Sequence, residues 1–152
     1  MSMKNLFQPT TVDEIKSRLA KLTPQSERQW GKMVPAQAVA HCCGGLEWAV
    51  SDTHPPRIFI GRIIGGFVKP MMLKDDAPMR PNSPTAKSLI VNDDRDLSAE
   101  RERLRNLIDR FVAGGHAGCT THPHSFFGRM TPDEWAVLMY KHLDHHLRQF
   151  NA

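Results

Sequence analysis

Apolar residues recur every three or four positions along most of the chain, and this spacing is typical of amphipathic helices. A capping box at residues 11–14 precedes the first periodic segment, so we expect a helix over about 12–22. A second helix is predicted over about 35–52, because Pro35 suits the first turn of a helix. Each helix carries one apolar stripe that must be buried against another element.

Residues 57–73 form a strongly apolar stretch, which Arg57, Arg62 and Lys69 interrupt. The stretch is too short and too charged for a membrane span. We therefore expect a third helix that faces the core and ends near Pro70, since proline disrupts a helix interior. The alternatives, in decreasing order of preference, are a homodimer contact and an amphipathic helix in a membrane interface.

Proline, aspartate and asparagine are frequent in residues 74–97, which predicts a long crossover loop with a short extended piece at 88–91. Ser98 is the expected N-cap of a fourth helix that reaches about Ala113. Two glycines follow that position and end the predicted helix.

A histidine-rich loop is predicted over 116–130, and the sequence TPDE at 131–134 then begins the last helix. These four residues combine a capping box with proline at the first helical position. Helices that each have one apolar stripe must pack on one another, which predicts an all-α fold of the bundle type. We expect a single domain over 1–152.

Composition and charge limit the functional class. Of the 152 residues, 40% are hydrophobic and 24% are charged, as in soluble globular proteins. The net charge is +4 and the pI about 9.2, but basic residues are mixed with acidic ones and no aromatic-basic motif is present. We therefore expect neither nucleic acid nor a membrane as partner. Cys42, Cys43 and Cys119 do not form a disulfide framework, which indicates a reduced, cytoplasmic protein.

The last predicted helix carries His142 and His146 one turn apart. Side chains at i and i+4 share a face, with Cβ atoms about 5–6 Å apart. Two imidazoles at this spacing can bind one transition-metal ion, because Zn–N bonds are about 2.0–2.1 Å long. On a helical wheel the pair shares the apolar face with Trp135 and Gln149, whereas His145 falls at its edge.

A metal that takes part in chemistry usually has three protein ligands and an open position, so a facing helix should supply a third ligand. His41 is the one histidine inside another predicted helix, and its wheel places it on the inward stripe with Trp48. Gly44 and Gly45 follow within a turn, at a cost of about 1 kcal/mol each relative to alanine. We interpret the space that they leave as a pocket above the metal.

Two segments resemble a known group of sequences. The run FFGRMTPDEWAVLMYKHLDHHLRQF at 126–150 and the run WGKMVPAQAVAHC at 30–42 are similar to an uncharacterised bacterial branch of the DinB/YfiT-like metalloenzyme superfamily. The resemblance extends over nearly the whole chain. It implies a four-helix bundle, up-down-down-up with a long crossover, whose metal is held by His41, His142 and His146.

The expected function is that of a metal-dependent enzyme, in which a metal-activated water or thiol attacks a small electrophilic substrate. Imidazole ligands suit Zn²⁺ or Ni²⁺. Thiol-dependent S-transferases among the relatives imply a low-molecular-weight thiol as a second cofactor, and a hydrolase is the other reaction type. The expected pocket residues are Trp30, Gly45, Trp48, His124 and His145, of which the two histidines are also candidates for a general base. The alternative is a non-catalytic bundle with a structural or vestigial metal site, acting as a binding or dimeric protein.

Overall fold

The computed structural model describes residues 2–52 and 54–152, and the regular secondary structure within these residues is helical. The described residues form α1 (Pro9–Ala20), α2 (Pro35–Val50), α3 (Phe59–Leu73), α4 (Leu97–Gly118) and α5 (Pro132–Gln149). A short 3₁₀ helix over Lys87–Leu89 lies in the crossover between α3 and α4. No strand occurs within these described residues, so the predicted all-α class is confirmed.

The apolar core is built mainly by α1, α2, α4 and α5. Its fully buried side chains include Ile15, Leu46, Ile108 and Trp135, one from each of these helices. The last of them, α5, is enclosed on nearly all sides: between residues 135 and 149 only Arg148 is exposed. A side chain that points from α5 toward α2 therefore points into the interior, where the histidines lie.

The polar side of α5 is buried as well, although polar residues of a helix usually face solvent. Lys141 is 5% exposed, and its Nζ donates to the carbonyl oxygens of Met72 (2.7 Å) and Asp75 (2.9 Å). Asp144 is 3% exposed and accepts a hydrogen bond from Arg18 (2.7 Å). These partners offset the desolvation of the two charged groups.

Long-range polar contacts show the relative directions of the helices. The contacts are Leu6 N–Ala136 O, Arg18–Asp144, Glu47–Arg103 and Arg110–Val50 O. From Leu6, just before α1, to Arg18, the contacts advance along α5 from Ala136 to Asp144. From Glu47 to Val50 on α2, they advance along α4 from Arg103 to Arg110. Consequently α1 runs parallel to α5, and α2 runs parallel to α4.

Two predicted helix starts are wrong. α1 begins at Pro9 with Gln8 as its N-cap, because proline presets the backbone for the first helical position. The Thr11 hydroxyl, expected to cap the helix, is buried and donates to Gln8 Oε1 (2.9 Å). α4 is capped by Asp96, whose carboxylate accepts a backbone N–H of the first turn (2.7 Å), and not by Ser98. In contrast, the capping box predicted for α5 is confirmed.

The prediction for α3 is wrong in two respects. The helix continues through Pro70 to Leu73. Proline has no N–H to donate to the carbonyl four residues earlier, but that carbonyl belongs to the exposed Gly66 and can bind water instead. Its apolar face also points away from the core. The most exposed side chains are Phe59 (77%), Phe67 (75%), Ile63 (62%) and Met71 (58%). Among the described residues, no helix combines the length and the apolar character needed to cross a membrane.

Two glycines attach α3 to the rest of the protein. A Cβ atom on Gly65 would lie 1.9 Å from the carbonyl oxygen of Phe126, and one on Gly61 would lie 2.6 Å from it. The backbone N–H of Ile58 donates to Ser125 O (3.1 Å). The helix therefore lies directly on the turn at 124–128, with backbone against backbone.

The crossover differs from expectation. The extended piece predicted at 88–91 is wrong, because the chain forms the 3₁₀ helix Lys87–Leu89 there. The predicted stop of the fourth helix near Ala113 agrees with the structure: non-helical backbone at Gly115 (φ 55°, ψ −154°) separates the main helix from a short helical end that reaches Gly118. The glycine pair thus ends the main helix, as predicted.

Candidate metal centre

The rings of His41, His142 and His146 meet between α2 and α5. One ring nitrogen of each residue lies within 4.8 Å of the other two. The Nε2 atoms of His41 and His142 are 2.8 Å apart, and the three ring centroids are separated by 4.7, 4.6 and 4.9 Å. Because metal–imidazole bonds are about 2 Å long, three nitrogens at these separations are close enough to bind one ion.

The crossover orients His41. Its Nδ1 lies 2.8 Å from the carbonyl oxygen of Leu89. A carbonyl can only accept, so Nδ1 carries the proton and Nε2 presents its lone pair toward the other two rings. Metal-binding histidines commonly have such an outer partner, which fixes their tautomer. The 3₁₀ helix Lys87–Leu89 therefore belongs to the site, a role that the sequence pattern did not predict.

A second outer partner, Gln149, orients His146. His146 Nδ1 lies 2.9 Å from Gln149 Oε1, while Gln149 Nε2 donates to the carbonyl oxygen of Trp30 (2.9 Å). Since that carbonyl must accept, the amide oxygen faces the histidine, and His146 Nε2 keeps its lone pair. Gly31 permits this contact: its φ is +77°, and a Cβ there would lie 2.7 Å from Gln149 Nε2. Gln149 shares the inward face on the predicted wheel, but the sequence alone assigned it no role.

His142 reaches the site because Gly45 has no side chain. A Cβ on Gly45 would lie 3.0 Å from His142 Nδ1, and one on Gly44 would lie 2.7 Å from the Leu89 side chain. The glycine pair thus admits two side chains, and its interpretation as an empty pocket is wrong. Since His41 Nε2 has a lone pair, His142 Nε2 donates in their 2.8 Å contact. For His142 to bind an ion through Nε2 as a neutral imidazole, that proton would have to lie on Nδ1 instead.

Burial keeps the three imidazoles neutral. His41 is 3% exposed and His146 is 9% exposed. Desolvation lowers the pKa of His41, holds the pKa of His142 well below its ordinary value and lowers the pKa of His146 to about 3. The second cause of the low pKa values of His142 and His146 is repulsion from His41, because two neighbouring imidazoles cannot both carry a positive charge without cost. Neutral imidazole is the form that binds metals, so the lone pairs are available at neutral pH.

His142 gives the centre one side toward solvent, because it is only partly buried. On the inner side, apolar residues and His146 line a cavity of about 10 Å³, which has room for about one water molecule. A larger open groove of about 390 Å³ lies elsewhere, between residues 24–35 and Phe150. Of the three histidines, His142 is therefore the most exposed to solvent.

Trp30 and His145, two of the predicted pocket residues, lie beside His146. The ring centroids of Trp30 and His145 are 5.3 Å apart, and those of His145 and His146 are 4.9 Å apart. His145 Nδ1 lies 3.3 Å from the Met79 carbonyl, and burial lowers the pKa of its imidazole. His145 is thus a neutral neighbour of the triad and not one of its members.

Trp48 and His124 are two further predicted pocket residues. They contact each other near the other end of the seam between α2 and α5. The centroid of the His124 ring lies 5.7 Å from that of Trp48 and 5.4 Å from that of Trp135. Its Nδ1 accepts the backbone N–H groups of Phe126 (3.0 Å) and Phe127 (3.1 Å). Burial lowers the pKa of His124 to about 4. These contacts give the ring a structural role, since its unprotonated Nδ1 holds the turn at 124–128.

The sequence model of one protein family matches residues 1–152, the whole chain. The chain belongs to the family described as "Protein of unknown function (DUF1569)". No curated protein and no solved structure matches it. Membership of DUF1569 assigns no reaction, and the histidine centre is the feature of the molecule that bears on its function.

The cysteines of this DUF1569 protein do not belong to the centre. Burial raises the pKa of Cys42 well above its ordinary value and that of Cys43 to about 12. Cys119 is 9% exposed, and burial raises its pKa as well. A buried, protonated thiol is a poor nucleophile.

Proposed function

We propose that this DUF1569 protein is a metal-dependent enzyme of the DinB-like type, with His41, His142 and His146 as metal ligands. The convergence of three neutral imidazoles within 4.8 Å carries the proposal. The parallel directions of α1 with α5 and of α2 with α4 support the up-down-down-up four-helix bundle of that superfamily, in which α3 would belong to the long crossover.

The reaction type follows from the ligands and from the partial exposure of His142. Zn²⁺ or Ni²⁺ suits imidazole ligands, and such an ion supplies a nucleophile at neutral pH by lowering the pKa of a bound water or thiol. Leu89 and Gln149 hold two of the rings in place. We therefore propose an S-transferase that uses a low-molecular-weight thiol, or a hydrolase.

Metal titration tests the ligand set. Metal-free protein titrated with Co²⁺ or Zn²⁺ should bind one ion per chain. The His41→Ala and His142→Ala variants should each bind at least about 100-fold more weakly, because two imidazoles hold such an ion much less tightly than three. His122→Ala is the matched control, since His122 is an exposed histidine outside the triad and its loss should leave affinity unchanged. Equal affinity in all four proteins would overturn the proposal.

Activity assays separate the two reaction types. Metal-loaded protein is compared with its His142→Ala variant in 4-nitrophenyl acetate hydrolysis and in the conjugation of monochlorobimane with small thiols. Metal-dependent turnover in one assay, lost in the variant, would assign the class. Stoichiometric metal binding without turnover in either assay would favour the second candidate.

The second candidate is a structural metal site in a non-catalytic protein, and the near-complete burial of His41 and His146 favours it. A structural ion fills its coordination sphere with protein groups, whereas a catalytic ion keeps an open position. Adding a small thiol to the Co²⁺-loaded protein discriminates between them. A shift of the visible absorption indicates an exchangeable position, and an unchanged spectrum together with a large loss of Tm in chelator indicates a structural ion.

A further inference from the structure

The outward face of α3 carries a continuous apolar row. Phe59, Ile63, Phe67 and Met71 follow one another at four-residue intervals and are 77%, 62%, 75% and 58% exposed. Two more isoleucines at 60 and 64 widen the row on one side. Residues four apart form one ridge along a helix, so these side chains stand in line.

The exposed apolar area of this face approaches the area that each partner buries in a standard interface. The six side chains together expose on the order of 600 Å² of apolar surface, at the upper end of the largest patches on monomeric proteins. A standard protein–protein interface buries about 800 Å² on each partner. A partner that covered the apolar row and its immediate border would therefore bury enough area for a stable complex.

The row is also complementary to itself. If a two-fold axis passes between Ile63 and Phe67, Ile63 faces the partner's Phe67, and Phe59 faces the partner's Met71. Each contact then joins an aromatic ring to a smaller or flexible side chain. Beside the row, a Cβ on Gly66 would have no atom within 4 Å, so a groove lies next to the ridge. Ridges of this four-residue type pack into such grooves in globular proteins.

The charges around α3 favour a protein partner over a lipid surface. Residues 57–74 contain four basic groups and no acid, and two of these groups already have partners within the chain. Arg57 donates to the carbonyl oxygens of Gly61 and Phe126, and Lys69 pairs with Glu134 (3.0 Å). Arg57 and Lys69 are therefore less available to anionic headgroups, whose attraction normally adds to the binding of such a helix.

We propose that α3 is a homodimer interface, in which the row Phe59–Ile63–Phe67–Met71 packs against the same row of a second copy about a two-fold axis. The surface lies outside the histidine triad. A dimer through α3 would therefore form whether or not the centre binds a metal.

Sedimentation or light scattering over a concentration series tests the assembly. The wild-type chain should form dimers, and Phe67→Glu should shift it to monomers, because it places a carboxylate at the centre of the apolar interface. Val112→Glu is the matched control: Val112 is an exposed apolar residue on α4 (39%), so this variant should remain dimeric. Circular dichroism checks that both variants keep their helical content.

Mixing two monomeric variants tests the pairing. Ile63→Lys should also give monomers, since the lysine would face the partner's Phe67. When it is mixed with Phe67→Glu, one contact of the mixed dimer is native and the other joins opposite charges. Heterodimers should therefore form, whereas each variant alone stays monomeric. This rescue depends on the proposed opposition of positions 63 and 67.

Four outcomes would overturn the proposal. The first is a wild-type chain that stays monomeric at all concentrations, and the second is a Phe67→Glu variant that dimerises like wild type. Failure of the mixed variants to associate would reject the two-fold pairing. Sedimentation of a monomeric wild-type chain with phosphatidylserine vesicles, lost in Phe67→Glu, would assign the face to membranes.

Discussion

The seam between α2 and α5 and the outer face of α3 depart from the usual distribution of polarity in opposite ways. In the seam, imidazole rings are buried, with His41 at 3% exposure. On α3, aromatic side chains are exposed, with Phe59 at 77%. Buried polar groups and large exposed apolar patches are the informative exceptions in a globular protein. Burial of polar groups costs free energy unless they find partners, and an exposed apolar patch contributes no free energy of burial until something covers it, so the seam suits a cation and the face of α3 suits another apolar surface.

Both regions depend on glycine for a close approach, but the neighbours differ. Gly45 faces the edge of a histidine ring, which can rotate and shift by a few tenths of an ångström. Gly65 faces a backbone carbonyl oxygen, which is held by its turn. We therefore expect an added Cβ to have a large effect at Gly65 on α3 and a small effect at Gly45 in the seam.

The largest effect is expected from Gly65→Ala. Its Cβ would lie 1.9 Å from the carbonyl oxygen of Phe126, a separation that no side-chain movement can relieve. We expect the free energy of unfolding to fall by about 3 kcal/mol, the upper range for overpacking. Urea denaturation measures it, and hydrogen exchange should show loss of protection in α3.

Gly66→Ala is the control for this prediction. It lies on the same helix with open space around its Cβ position, so the better helix propensity of alanine should raise stability by about 0.5–1 kcal/mol. If both alanine variants were stabilised alike, the close docking of α3 on the turn at 124–128 would be wrong.

A smaller effect concerns His124, which connects the two regions through Trp48 and the turn under α3. Its pKa is 6.5 in the unfolded chain and about 4 in the folded protein. As pH falls through 6.5, the unfolded chain binds a proton first, so stability present above that pH is lost progressively down to about pH 4. Between about pH 7.5 and 5 this group should remove about 2 kcal/mol of stability.

The His124→Gln variant isolates that contribution, because other histidines titrate in the same range. Its amide oxygen can accept the backbone N–H groups of the turn without titrating. The wild-type free energy of unfolding should therefore fall more steeply with acid than that of the variant. Parallel curves for the two proteins would show that His124 is not buried in neutral form.

The outer partner of His146 gives a third prediction. Gln149→Leu removes the acceptor for His146 Nδ1, and the affinity for Zn²⁺ should fall at least about tenfold. Gln149→Glu keeps an oxygen toward the histidine but loses the donor to Trp30, so its affinity should stay near that of wild type while its stability falls. Equal affinity losses in both variants would indicate that Gln149 acts by packing alone.

How far the sequence predicts this protein depends on the range of the interactions involved. The triad could be found because helical periodicity alone puts His142 and His146 on one face and His41 on an inward stripe. The start of α5 could be predicted for the same reason, since its capping box is contained in four residues. Such local geometry can be read without knowing the fold.

Interactions between distant segments could not be predicted. Leu89 reaches His41 across 48 positions, and nothing in its neighbourhood of the sequence marks its carbonyl as an acceptor. The stripe on α3 indicates which side is apolar but not what covers that side. Only the docking of Gly61 and Gly65 on the turn determines that the stripe faces outward.

The smallest effect is expected in the seam, from Gly45→Ala. The new Cβ would lie 3.0 Å from His142 Nδ1, so the ring must shift by a few tenths of an ångström. A ligand that moves this little still reaches the ion but with strained geometry, and Zn²⁺ affinity should fall about three- to fivefold. Gly44→Ala is the adjacent control, since its Cβ meets the end of the Leu89 side chain, which can rotate away. A metal affinity that fell more in Gly44→Ala than in Gly45→Ala would show that the ring of His142 has room to adjust, and that the position of Leu89 limits the site.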